Sequence, residues 1–149
     1  MNNQETIDLL YHLKLKGMSE AFKAISIMPV SERPEMELAI AKIAEAERMY
    51  RDGQRTQMYL KTSKLRFNAS LEDIECSSER NLSKSQLSEI GDCSFIRRAE
   101  NILITGLTGC GKTYLACALG RQACYLGFRT EYLNMNKFIE KIALSKLEG

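Results

Sequence analysis

The sequence predicts an α/β fold: a helical N-terminal domain followed by an incomplete parallel-sheet domain. Three observations carry that expectation. Residues 1–67 repeat apolar side chains at helical spacing. Residues 101–105, Asn-Ile-Leu-Ile-Thr, form a short apolar run of the kind that reads as a buried parallel strand. Residues 106–113, Gly-Leu-Thr-Gly-Cys-Gly-Lys-Thr, match the phosphate-binding loop pattern G-x-x-x-x-G-K-[ST] and sit between that run and a helical stretch.

In chain order, Ile7, Leu9, Leu10 and Leu13 form one helical stripe with Gly17 as its expected stop. Ser19 is placed to cap a second, short helix that carries Ala21, Phe22 and Ile25 and halts near Pro29. Ser31 and Pro34 mark a third start, because proline is tolerated in a first helical turn. Met36, Ala39, Ile40, Ile43 and Tyr50 keep the period, and a long helix is expected to about Arg66, with Gly53 as the place for a bend. Residues 68–99 read as a connector with an acidic excess. In it, Leu71-Glu-Asp-Ile74 is expected as an extended piece. Ser83 with Gln86 fits a capping box that opens a helix through Leu87 and Ile90, ended by Gly91. Phe95 and Ile96 add one further helical turn.

Residues 100–149 read as the start of a P-loop nucleotide-binding domain. Residues 114–126 are rich in Ala and Leu, lack proline and are stopped by Gly127, so strand, glycine loop and helix follow in the order the motif requires. The glycines let the backbone curl until several N–H groups converge. Lys112 reaches the β/γ-phosphates, and the Thr113 hydroxyl holds Mg²⁺. The helix N-terminus adds its unpaired amides and positive dipole end. Residues 129–134 are the expected second strand, and residues 135–146 a helix with Phe138, Ile139, Ile142 and Ala143 facing inward. The first strand exposes unpaired backbone unless it pairs with the second, and a two-stranded parallel sheet is marginal. The C-terminal half is therefore expected to be less stable than the helical half, with apolar surface exposed on both sides of the first strand.

A length of 149 residues has room for one domain, or one small domain plus a partial one. No apolar run approaches the ~20 residues that span a bilayer, and the start Met-Asn-Asn-Gln-Glu-Thr carries no signal-peptide pattern, so a cytoplasmic protein without membrane contact is expected. Cys76, Cys93, Cys110, Cys117 and Cys124 are odd in number and lack C-x-x-C spacing, which fits reduced thiols better than disulfides or zinc. Cys117 and Cys124 read as small core residues, and Cys110 as a variable loop position open to alkylation. His12 stands alone, without partners for metal or acid–base work.

Net charge is only +2, but its distribution is uneven. Arg48, Arg51, Arg55, Lys61, Lys64 and Arg66 face a single acid, Asp52, between positions 48 and 66. On a helix, Arg48, Arg51, Arg55 and Arg66 fall on nearly one face, a candidate surface for DNA phosphates. A solvated charged face is the competing reading. No base-reading motif is present, so DNA association is expected to be non-specific.

Four segments carry a family resemblance: Leu13-Lys-Leu-Lys-Gly-Met18, Leu71-Glu-Asp-Ile74, the loop with its preceding run at residues 101–113, and Leu115-Ala-Cys-Ala-Leu-Gly120. In this order they resemble the IstB-like ATP-binding proteins, helper ATPases of bacterial insertion-sequence transposition that are related to DnaC-type helicase loaders of the AAA+ class. The resemblance covers essentially the whole chain. It implies an ATP- and Mg²⁺-dependent, DNA-binding protein that is a homo-oligomer at full length and works with a transposase or, in the loader reading, a replicative helicase. Carried onto this sequence, Gly106, Leu107, Thr108, Gly109, Cys110, Gly111, Lys112 and Thr113 cradle the triphosphate and its metal, and Tyr114 lies near the α-phosphate or the base.

The family continues through an apolar strand ending in paired acids, then sensors and an arginine finger. After Thr113 the acids here are Glu131, Glu140 and Glu148, and none ends an apolar run. The chain therefore reads as an N-terminal portion truncated before Walker B and not competent for hydrolysis alone. A third function class stays open: a non-enzymatic DNA-binding or interaction module with a vestigial nucleotide half. A GTPase is disfavoured, since Asn136-Lys137 is followed by Phe138-Ile139 and not by the x-Asp of a base reader.

Overall fold

Asn2 starts the first helix. Its side chain accepts the Glu5 amide while the Glu5 carboxylate accepts the Asn2 amide, so two otherwise orphaned donors are satisfied reciprocally. The computed structural model describes residues 2–148. Helix α1 (Asn3–His12) ends where Lys14 takes a left-handed backbone, φ 61°. Helix α2 (Lys16–Ile27) starts earlier than a Ser19 cap predicts, and it has no side-chain cap on its own N-cap residue. Gly17 lies inside α2 and does not stop α1, and Ser19 is buried with its hydroxyl donating to the Ile7 carbonyl at 3.1 Å.

Packing explains both departures. Gly17 rests against α3 (Met36–Ser63), where a Cβ would stand 2.6 Å from the Ala46 carbonyl oxygen and 2.7 Å from the Glu47 Cα. A side chain has no room there. After α2, a turn of 3₁₀-helix (Val30–Glu32) reverses the chain, and Arg33 ties the reversal by donating to the carbonyls of Ser26 and Met28. Helix α3 runs through Gly53 as one helix and stops at Ser63, short of Arg66, with Lys64 at φ 52°.

The chain divides into two compact units, Met1–Arg55 and Thr56–Gly149. The second contains α4 (Lys84–Gly91), α5 (Ser94–Arg97), α6 (Lys112–Tyr125) and α7 (Met135–Glu148). Helix α4 opens on the expected capping box of Ser83 and Gln86. The core of this unit is Ala69, Cys117 and Ala118, with Leu65, Leu71, Ile74, Tyr114 and Tyr132 packed around them. Leu71-Glu-Asp-Ile74 is a turn and not an extended piece: the Asp73 amide donates to Ser70 and the Ile74 amide to Leu71, each at 3.3 Å. The turn delivers Leu71 and Ile74 to the core together.

The predicted α/β architecture is overturned. Among the described residues no segment is a strand, and the pairing of extended backbone is limited to one antiparallel bridge, Ser77 with Leu82. The architecture is helical, without the parallel-sheet P-loop domain expected from residues 101–105 and 129–134. The physical reason is the missing ladder, since a strand is defined by partners. No backbone hydrogen bond joins the two segments. The Tyr132 amide donates instead to the Ser63 carbonyl at 2.7 Å, at the end of α3. Leu103 is left 87% exposed.

Helix α7 also departs from expectation. Phe138, Ile139, Ile142 and Ala143 are exposed and do not face inward. It is tied to the preceding segment by a Lys141–Glu131 ion pair of 2.5 Å and by the Asn134 Oδ1, which accepts the Lys137 amide at 2.9 Å. No helix among the described residues is long and apolar enough to cross a membrane.

Candidate functional site

The glycine loop is shaped by its three glycines. Gly106, Gly109 and Gly111 have φ of 153°, 83° and 90°, backbone that L side chains rarely adopt. Gly111 is the N-cap of α6, and no side chain caps that helix. The first intrahelical bond runs from the Leu115 amide to the Gly111 carbonyl at 3.0 Å. The amides of Gly111, Lys112, Thr113 and Tyr114 therefore lie ahead of the ladder, at the positive end of the helix dipole. That is the arrangement an anion with several oxygens requires.

Lys112 folds back across the loop. Its Nζ donates to the carbonyls of Gly106 and Leu107 at 2.9 and 2.6 Å and stands 3.8 Å from the Cys110 Sγ. The ammonium is thus held inside the curl that the glycines make. The Thr113 side chain is half-buried at the start of α6. Leu107 is 84% exposed, so the tip of the loop faces water. Cys110 is exposed, whereas Cys93, Cys117 and Cys124 are buried, and all five thiols are free. No cluster of three or more His, Cys, Asp or Glu residues that could hold a metal occurs among the described residues. The donor set fits a phosphate chain, with Thr113 as the one loop hydroxyl beside Lys112 for its counter-ion.

A cleft of about 710 Å³ opens beside the loop. Ile74, Leu82, Ile90, Ile104 and Leu115 give it apolar walls, and Lys112 reaches into it. Sequence reasoning placed the loop but not this wall, because residues 73–90 read as a connector. The available signal was the capping box at Ser83, which fixes α4 and with it Ile90.

Of the four candidate DNA-binding arginines, Arg48, Arg51 and Arg55 keep helical spacing on α3, and Arg66 does not belong to that helix. Arg48 pairs with Glu45 at 2.5 Å, Arg51 with Glu47 at 2.7 Å and Arg55 with Asp52 at 2.7 Å. Arg66 lies beyond the end of α3, with its guanidinium 5.3 Å from the centre of the Phe67 ring. The i,i+3 and i,i+4 carboxylates were legible in the sequence as helix pairs. Glu47 does more than neutralise Arg51. Its second oxygen accepts the Met18 amide at 3.2 Å, so α3 supplies the cap that α2 lacks. The Arg51 hydrogen bond holds the Glu47 carboxyl below its ordinary value, with burial working against it and the Met18 amide adding to it.

The chain matches the family model described as IstB-like ATP binding protein over residues 8–149. It is 32% identical over 150 residues to a protein of insertion sequence IS1162 from Pseudomonas fluorescens, named as an ATP-binding protein, covering 100% of this chain and 65% of that one. It is 31% identical over 142 residues to the insertion-sequence ATP-binding protein y4uH of Sinorhizobium fredii, covering 95% of this chain and 57% of that one. The chain thus spans less than two thirds of these relatives' lengths. It belongs to the IstB-like ATP-binding protein family.

Proposed function

We propose that this chain binds ATP with Mg²⁺ through residues 106–114 and serves insertion-sequence transposition as a DNA-associated helper. The observation that carries the nucleotide reading is the uncapped start of α6. Four amides stand ahead of its ladder, and the Lys112 ammonium is already held within the glycine curl. In this reading Gly106, Gly109 and Gly111 shape the cradle, with Leu107, Thr108 and Cys110 contributing backbone. Lys112 neutralises the outer phosphates, and the Thr113 hydroxyl faces the magnesium ion. Tyr114, the third residue of α6, lies beside the inner phosphate or the base. The bound metal would lower the charge repulsion among the phosphates.

The reading is one of nucleotide binding, since residues 112–149 contain no apolar run ending in paired acids that could polarise an attacking water. Transposition enters through the family and through relatives named for insertion sequences. The partner is a transposase, and DNA is met non-specifically through phosphates. Arg48, Arg51 and Arg55 reach a phosphate only by exchanging it for their own carboxylates. Arg66 has no such competitor among the described residues.

Equilibrium binding of a fluorescent ATP analogue to the chain tests the nucleotide reading. Lys112→Ala is expected to weaken binding by about tenfold or more, the scale of one lost charge-assisted contact. Unchanged affinity would sink it.

A further inference from the structure

Two arginine–aromatic couples lie along one face of α6, and neither guanidinium forms an ion pair among the described residues. Arg66 stands over the Phe67 ring at 5.3 Å, and Arg121 over the Tyr125 ring at 5.6 Å. The couples are joined. Phe67 meets Tyr114, ring centres 6.2 Å apart and tilted by 43°. Arg121 donates to the Asn68 side chain and, at 3.2 Å, to the Tyr125 hydroxyl. Residues 66–68 therefore lie against α6. Tyr114, Arg121 and Tyr125 are spaced i, i+7 and i+11, which puts them on one helix face over about 16 Å. Phe67 is 39% exposed and Tyr125 51% exposed.

Five other arginines contrast with this strip, while Arg33, Arg97 and Arg129 also form no ion pair among the described residues and Arg97 stands 5.8 Å from the centre of the Phe128 ring. Arg48, Arg51, Arg55, Arg80 and Arg98 each carry an ion pair. Arg66 and Arg121 keep a planar charge without an ion pair among the described residues, each beside a partly open ring, with Arg121 hydrogen-bonded to Asn68 and Tyr125. Rings take the faces of unpaired bases, and planar cations take phosphates or stack with the same bases. A duplex hides its base faces, so the rings would be idle against it.

We propose that the strip Arg66–Phe67–Tyr114 and Asn68–Arg121–Tyr125 binds single-stranded nucleic acid, with bases on Phe67 and Tyr125 and phosphates on Arg66 and Arg121. This rests on the DNA association proposed above and names its strand form and its residues. It moves the contact from the α3 arginines to α6.

The test is fluorescence anisotropy of a labelled oligothymidylate with the full chain, at two salt concentrations, beside a duplex of equal length. The wild-type chain is expected to bind the single strand more tightly than the duplex and to lose affinity with salt. The double variant Arg121→Gln with Tyr125→Leu is expected to weaken single-strand binding by about tenfold or more, the scale of one lost base stack. Should that variant melt early, Arg66→Gln carries the test. It changes an exposed side chain outside any helix and is expected to reduce the log–log salt slope by about one. Absence of wild-type binding, or unchanged affinity in both variants, overturns the proposal. So does a duplex bound as tightly as the single strand with the same losses, which would mark a phosphate patch alone. Loss of ATP-analogue binding in a double variant that melts like the wild type also overturns it, because the rings would then serve the nucleotide base. Failure of the nucleotide reading shows separately, in the Lys112→Ala titration, and leaves the oligothymidylate result standing.

Discussion

The unit Met1–Arg55 closes the starts of α1 and α2 and its α3 arginines on itself, whereas the unit Thr56–Gly149, although it caps α4 and pairs Arg80 and Arg98, leaves the start of α6 open. In the first, Asn2 and Glu5 cap α1, Glu47 caps α2, and Arg48 and Arg51 are neutralised by Glu45 and Glu47. In the second, α6 starts with no side-chain cap, Arg66 and Arg121 meet no carboxylate among the described residues, and Leu103 and Leu107 face solvent. Satisfied groups make a scaffold. Unsatisfied donors and cations are what a phosphate chain or a nucleic acid strand can use. The difference teaches that the candidate chemistry belongs to the second unit, although the densest run of arginines in the sequence belongs to α3.

The largest expected effect is in amide hydrogen exchange. The amides of residues 101–105 have no backbone acceptor among the described residues, and those inside α3 have the helix ladder. Residues 101–105 are expected to exchange orders of magnitude faster than the middle of α3. Equal protection in the two segments would erase the contrast between the units.

Next comes Gly17→Ala. The new Cβ meets backbone on α3, which cannot rotate away. Destabilisation by about 1–3 kcal/mol is expected, as for overpacking of a close contact. Urea unfolding followed by circular dichroism reads it, and a wild-type midpoint would mean that α2 and α3 do not approach as described.

Gly53→Ala is expected to go the other way. Nothing lies within 4 Å of a Cβ at this exposed position inside α3. A gain of up to about 1 kcal/mol follows from helix propensity alone. A thermal melt that falls instead would show that the glycine has a contact or a bend to serve.

The smallest effect is pH-dependent. Because the folded Glu47 carboxyl sits below its ordinary value of 4.5, its stabilising contribution is present above that value and fades as pH falls through the folded one. Glu47→Gln is expected to melt below the wild type at neutral pH, and the gap should close on acidification. A gap that stays constant down through that window would take the charge of Glu47 out of the cap.

Much of the local structure was legible. The Ser83–Gln86 box, the Pro29 reversal and the α6 start after Gly111 follow from residues a few positions apart. The loop itself was legible for the same reason, since its glycines set backbone angles locally. The strands were misread because an apolar run implies a ladder only when another strand lies beside it. Residues 101–105 have none among the described residues. Arg66 was placed on the helix of Arg48, Arg51 and Arg55, whereas α3 ends at Ser63, and helical spacing says nothing of which carboxylate already holds each charge.

The glycine-loop backbone, the Ser83–Gln86 cap and the family resemblance were written in the sequence, because they rest on residue types at short, fixed spacings. Why Gly17 is glycine, what caps α2 and what Arg121 touches emerge only from the packed chain. Those depend on partners far apart in the chain: Met18 and Glu47 are separated by 29 positions, and Asn68 and Arg121 by 53. Such pairs are chosen by how the helices pack, and no local pattern encodes them.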